Sequence, residues 1–198
     1  MFRPRGRRRK GKPRRVEELR VSLGKFANFP SLVHGLVKIS HENTTAKIQR
    51  AIIQAFYGLN EYREAYSLSV SGHVGIYEGW LTFEVGAANG LFFDYLDEEA
   101  VGKLYSPLES GKEYSILDFL VIITYHYSRE GKRVPLNFDH HILRFLFHDG
   151  EVEVSLFHSK GTRRMPLDEL LSTVISRISL EAKRSGLKPI TIEKSRTL

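Results

Sequence analysis

The chain contains no cysteine, and only two methionines and one tryptophan in 198 residues. The first absence excludes disulfide bonds and every metal site built on thiolates, and it argues against an extracellular destination. Long apolar runs are missing as well. The longest, ILDFLVIITY, is interrupted by Asp118 and falls short of the roughly 18 residues that a membrane-crossing helix needs. No apolar stretch follows the charged N-terminus, as a secretory leader would require, and that N-terminus lacks the Ser-rich, amphipathic character of a transit peptide. These absences lead to the expectation of a soluble, cytoplasmic protein. A chain poor in Cys and Met but rich in Lys, Arg, Glu and Ile matches compositions common in hyperthermophiles.

Acidic residues are absent from the first fifteen positions, MFRPRGRRRKGKPRR, where Arg3, Arg5, Arg7, Arg8, Arg9, Lys10, Lys12, Arg14 and Arg15 supply nine of the chain's 30 Lys and Arg. The net charge of +7 is therefore a property of the ends. Residues 183–198 carry five cations against Glu193, and the stretch between the two termini, residues 16–182, holds 16 cations against 22 acids, a net of −6. The N-terminal segment has too little apolar surface to offset chain entropy, so it reads as a disordered basic arm. A mildly acidic body with basic extensions at residues 1–15 and 187–198 suggests arms that reach a polyanion. Residues 16–186 suffice for one domain with its own core.

Periodicity places several elements in that domain. Residues 16–40 suggest one or two short helices, with FPSLVHGLVKI the clearer and Pro30 at its start. NTTAKIQRAIIQAFYGLN predicts a helix capped by Thr44 or Thr45 and stopped by Gly58, with Ile48, Ile52, Ile53 and Phe56 on one face. HVGIYEGWLTFEV alternates as a strand, GAANG reads as a turn and LFFDYL as the returning strand. DEEAVGKLY suggests a short helix, and SILDFLVIITYHYSRE a buried one. Asp149-Gly150 is a two-residue hairpin signal. Pairing outward from it sets Phe147, Phe145 and Leu143 against Val152, Val154 and Leu156 on a core face. The opposite face then pairs His148 with Glu151, Leu146 with Glu153, Arg144 with Ser155, and Ile142 with Phe157. MPLDELLSTVISRISLEAKRSG predicts a closing amphipathic helix. The expected fold is α+β, an antiparallel sheet from two hairpins packed with about four to five helices.

No Walker loop, GxSxG elbow, HExxH or GxGxxG stands in a supporting context, so nothing in the sequence argues for an enzyme or a cofactor. FDHHILRF contains the DHH triplet of one superfamily of metal-dependent phosphoesterases, but the further aspartate motifs of a two-metal site are missing. Adjacent histidines in a strand also point to opposite faces. NTT at 43–45 matches a glycosylation sequon without the secretory context that would make it relevant.

Basic residues beside aromatic ones are the stronger signal. SREGKRV and HSKGTRRM place Arg129, Lys132, Arg133, Lys160, Arg163 and Arg164 at element ends, and Arg144 and Phe157 lie on the solvent face of the hairpin. Cations that follow a phosphate backbone, next to rings that stack on bases, suit single-stranded nucleic acid. Trp80 shares its strand face with Glu78, Thr82 and Glu84. Those neighbours suit a polyanion poorly, which favours packing over base stacking for this ring.

A basic arm, a helix such as TAKIQRAIIQAFYGLN, a sheet and the closing run HILRFLFHDGEVEVSLFHSKGTRRMPLDELLSTVISRI together resemble the archaeal ThermoDBP family and its related proteins, over roughly residues 30–185. The resemblance implies an α+β single-stranded DNA-binding domain with a cleft of basic and hydrophobic groups and no enzymatic activity. The founding type dimerises through a C-terminal coiled coil, whereas the last helix here carries only about three heptads of apolar spacing. The expectation is a non-enzymatic single-stranded DNA-binding protein that reads little sequence, as a monomer or a homodimer. The alternatives are an RNA-binding or ribosome-associated protein, and a protein-interaction module with a basic tether; the protein partner expected is a ribosomal or a replication protein.

Overall fold

Asp149 and Gly150 make a two-residue chain reversal, with Gly150 at φ +71°, a conformation that costs glycine nothing. The strands on either side pair in the register read from the sequence, from His148↔Glu151 to Ile142↔Phe157. A computed structural model describes residues 23–69, 76–129 and 132–197 of the chain. The basic arm, with its nine candidate cations, and the start of the helix expected over 16–40 lie outside the described residues.

The elements in chain order are β1 Gly35–His41, α1 Thr45–Leu59, β2 Arg63–Ser69, β3 Ile76–Asn89, β4 Phe92–Tyr95, α2 Glu98–Glu109, β5 Ile116–Arg129, β6 Lys132–His148, β7 Glu151–Gly161, α3 Leu167–Arg184 and β8 Ile190–Thr197. The eight strands form one antiparallel sheet in the order β2-β3-β5-β6-β7-β1-β8, with β4 paired to the end of β3. The sheet curves as a half-barrel. One face, carrying Leu81, Phe83, Phe119, Ile123, Phe145, Val154 and Val37, packs with Ile52, Phe56, Leu170 and Val174 of the helices into a single core.

The α+β class and the antiparallel sheet agree with expectation, but the described residues hold three helices where four to five were expected. FPSLVHGLVKI is not helical. Its second half is β1, because Val37 and Ile39 alternate with Lys38 and Ser40 at the period of a strand. SILDFLVIITYHYSRE is strand β5. Leu117, Phe119, Val121, Ile123 and Tyr125 face the core, while Leu120 and Ile122 make the other face apolar too. A strand apolar on both faces has no visible alternation, and only its β-branched content separates it from a buried helix. GAANG extends β3, and the reversal comes at Gly90-Leu91. The expected basic tail forms β8, paired with β1. β2 had no counterpart in the sequence reading.

The face away from the helices is crossed by residues 24–34. The Asp118 amide donates to the Gly24 carbonyl at 2.7 Å, and the Gly24 amide to Ala88 at 2.8 Å. Asp118 is fully buried. It accepts from Arg144 Nε at 2.8 Å and Nη2 at 2.7 Å, and from the Phe26 amide at 2.7 Å. The Arg144 guanidinium also donates to the Phe26 carbonyl and lies 4.0 Å from the Phe29 ring centroid. The crossing ends where His34 stacks on Phe157, centroids 4.9 Å apart, and its Nδ1 accepts from the His158 amide.

Removing one partner of a buried bidentate pair leaves the other charge uncompensated. Asp118→Ala is expected to destabilise the fold by about 3–5 kcal/mol, whereas the double change Asp118→Leu/Arg144→Met recovers most of that loss. Urea denaturation of the three proteins checks this, and a single substitution costing no more than the double one would refute it.

Candidate nucleic-acid interface

Strand register decides which side chains share the outer face where residues 24–34 leave it open. This is the end of the sheet at the β5–β6 turn. Trp80 of β3 lies opposite His126 of β5, Thr82 opposite Thr124, and Glu84 opposite Ile122. On β6, Phe138 lies opposite Thr124 and His140 opposite Ile122. A bulge between His140 and His141 makes Ser159 the extra residue, so Lys160 sits beside His140 outside while His158 sits beside His141 inside. No helix of the described residues packs on this half of the face, where Phe138 keeps 41% of its surface exposed.

The rings and cations here are in contact. Trp80 and His126 stack with centroids 5.8 Å apart and planes 22° apart. The Arg133 guanidinium carbon lies 5.7 Å from the Trp80 centroid, its Nε donates to His126 Nδ1 at 3.2 Å, and its Nη2 stands 2.7 Å from Nε2. Lys160 Nζ lies 5.2 Å from the Phe138 centroid, and the Phe138 and His140 rings are 5.1 Å apart. Burial, then Arg133 and Arg63, hold the His126 imidazole below its ordinary pKa. Burial and Lys160 do the same for His140. Both rings are thus neutral near pH 7, and they orient the cations without adding to the charge.

The candidate residues divide into groups. Arg129 pairs with Lys132 across the β5–β6 turn, Arg133 follows opposite Ser128, and all three are exposed. Lys160, beside His140 on β7, and Arg163, on the turn after β7, are exposed further along the sheet, and Arg164 is half-buried. Arg144 is on the outer face, as its strand position requires, but its fork is taken up by Asp118. Phe157 is stacked under His34 and is not a free platform. Arg63, His126 and Phe138 join the site without having been named as nucleic-acid contacts in the sequence, and so does His140, which was weighed there only within the DHH metal motif. Residues 63–69 and 132–141 carry no alternation strong enough to announce strands. Trp80 had been assigned to packing, and its contacts are with a cation and an imidazole.

The loop that carries Arg163 is fixed from inside. Asp139 has no exposed surface. It accepts from the Tyr125 hydroxyl at 2.6 Å and from the Arg163 and Arg164 amides at 2.7 and 2.8 Å. The Met165 amide closes the turn on the Tyr125 oxygen at 2.8 Å. Burial pushes the Asp139 carboxyl up, but the Tyr125 hydroxyl and the two amides outweigh it and hold the group below the usual carboxylate range. A Cβ on Gly161, at φ +108°, would collide with Asp139 Oδ1 and the Phe138 carbonyl, so only glycine fits there.

The DHH triplet therefore splits as its strand position dictates. His140 faces out, and His141 faces the core against His158, ring centroids 5.0 Å apart. Among the described residues no group of three or more His, Asp or Glu side chains is placed to hold a metal ion. Nor is any described helix long and apolar enough to cross a membrane.

His141 is fully buried, and neither ring nitrogen has a hydrogen-bond partner. Burial and the neighbouring His158 lower its pKa to about 4. The folded state keeps this ring neutral while the unfolded chain binds a proton below about pH 6.5. Its penalty on the fold therefore grows as pH falls from 6.5 towards 4 and levels off below. His34, His126 and His140 are shifted in the same direction. His141→Leu is expected to flatten, but not abolish, the loss of stability between pH 6.5 and 4. Chemical denaturation at several pH values measures this, and an unchanged slope would contradict it.

Comparison of the chain with protein-family models, with curated proteins and with solved structures finds no match, and nothing in those comparisons bears on the resemblance to the ThermoDBP family.

Proposed function

We propose that this protein binds single-stranded nucleic acid on the outer sheet face at the β5–β6 end, largely without regard to sequence and without catalysing a reaction. One observation carries the reading. A sheet face on which no described helix packs presents the rings of Trp80 and Phe138 among the exposed cations Arg63, Arg133 and Lys160, with Arg129 and Lys132 at the tip of the β5–β6 hairpin and Arg163 on the turn after β7. Rings supply π-faces on which any base stacks, and the cations follow the backbone. Trp80 and Phe138 lie two strands and two residues apart, about 12 Å by the spacing and rise of a sheet, which leaves room for a base on each. The arm at residues 1–15 adds phosphate contacts that carry no sequence information. DNA and RNA present the same phosphates and similar π-faces, so the RNA-binding or ribosome-associated reading draws on the same features.

A second reading rests on the opposite end of the molecule. Leu91, Phe92 and Tyr95 are exposed by 58, 72 and 58% at the β3–β4 corner, beside Asp94, Asp97, Glu98 and Glu99. Large exposed apolar groups at one corner suit a protein-binding surface, and they favour an interaction module.

Fluorescence anisotropy across a salt series, with labelled single-stranded DNA, single-stranded RNA and duplex, tests the proposal on the full-length chain. Lys132→Ala, Arg133→Ala and Lys160→Ala in combination are expected to weaken single-strand binding and to reduce the slope of log affinity against log salt by about 0.7 per lost contact. Unchanged affinity and slope in the triple variant would assign all binding to the arm, and the body's role would then pass to the β3–β4 corner.

A further inference from the structure

β2 is an edge strand, and the residue it sets opposite Trp80 is Ala65. His126 stacks on one flank of the indole, and on the β2 side the residue directly opposite is Ala65, whose side chain is a methyl group. The result is an open groove of about 610 Å³ at the sheet edge, in which Arg63, Ala65, Trp80 and Ser128 lie on the outer side and Glu64, Tyr66 and Gly79 on the side towards the helices. That volume lies in the range of ligand clefts. Ala65 and Ser128 supply the space on the outer side, Trp80 the wall, and Arg63, on the same face as Trp80, a cation at the rim, while the Glu64 carboxylate lies on the other side of β2.

We propose that this groove receives one unpaired nucleobase stacked on Trp80, with the adjoining phosphate held by Arg63. The inference rests on the single-strand reading above and deepens it. A base inside a duplex is stacked on its neighbours and cannot enter a side groove without being flipped out, which costs a few kcal/mol. The groove thus gives the folded body, as distinct from the arm, a physical means of preferring single strands. Beyond Met1 and Phe2 the arm is Arg, Lys, Gly and Pro, and its cations meet duplex and single-strand phosphates alike.

Trp80 is the sole tryptophan, so its emission reports the groove directly. The full-length protein is titrated with a short oligothymidylate, with a duplex of equal length, and with an abasic strand that keeps the phosphates but lacks bases. Binding is followed by anisotropy and the groove by tryptophan emission. The oligothymidylate is expected to quench Trp80 and protect it from acrylamide over the concentrations that raise anisotropy, while duplex and abasic strand leave emission unchanged. Ala65→Leu fills the groove at an exposed edge position. It is expected to lower affinity for the oligothymidylate by roughly five-fold or more, to abolish quenching, and to leave abasic-strand binding as in the parent. Rising anisotropy with unmoved emission, or Ala65→Leu binding the oligothymidylate like the parent, overturns the groove assignment alone. Flat anisotropy with every strand overturns the single-strand reading itself, and the groove assignment with it.

Discussion

Asp139 is a carboxylate with no exposed surface, kept ionised by a tyrosine hydroxyl and two backbone amides, and the β5–β6 end of the sheet is arranged around it. Burying a charge is costly unless hydrogen bonds replace its water. Here the replacements come from three separate places, Tyr125 on β5 and the amides of Arg163 and Arg164 before α3. Meeting that demand ties the end of β7 and the entry to α3 onto the middle of the sheet. It also forces the local backbone into unusual conformations, with Gly161 at φ +108° and Arg163 at φ +51°. Backbone of this kind persists only where surrounding contacts over-determine it. The exposed side chains of Lys160 and Arg163 are thus presented from a fixed turn rather than from a mobile loop.

The charge of the body is divided between its ends. Residues 16–182 sum to −6, which taken alone argues against a polyanion partner. The fold places Glu113, Asp149 and Glu151 at the β6–β7 turn and Asp94, Asp97, Glu98 and Glu99 at the β3–β4 corner, all at one end of the strands. The exposed cations that flank Trp80 and Phe138 gather at the other end. With a screening length of about 8 Å at physiological salt, a phosphate at one end is little affected by carboxylates a strand length away. A net charge summed over the chain conceals this division, which becomes visible once strand direction is known.

How much could be read beforehand follows from the local signals. The β6–β7 register was legible to the residue because Asp149-Gly150 fixes the turn and alternation fixes the faces. α1 and α3 were legible from apolar spacing at 3.6 residues. β5 was not, because a central strand apolar on both faces loses its period. β1 and β8 were missed for the opposite reason. β1 is short, and β8 is exposed along nearly its whole length, so its stability comes from pairing with β1 and not from any pattern of its own. At the candidate site, the cations at element ends were legible from the sequence. Their aromatic partners were not, since Trp80, His126 and Phe138 meet only through pairings between β3, β5 and β6. The sequence likewise gave no sign that Asp118 would claim Arg144, because its strand had been read as a helix.

Arg144 and Arg133 show what separates a structural arginine from one available to a ligand. Both lie on β6 and both contact an aromatic ring. Arg144 faces a buried carboxylate that takes two of its donors, and a guanidinium so paired has no net charge to offer a phosphate. Arg133 faces an imidazole and an indole. Each orients the guanidinium, through hydrogen bonds and the ring quadrupole, but neither carries a negative charge to cancel it. The neutrality of His126 therefore matters to the site: a carboxylate in its place would hold Arg133 more tightly and remove it from use. Orientation without neutralisation is what an anion-binding face needs from its supporting residues, and it distinguishes the open half of this sheet from the half that residues 24–34 have closed.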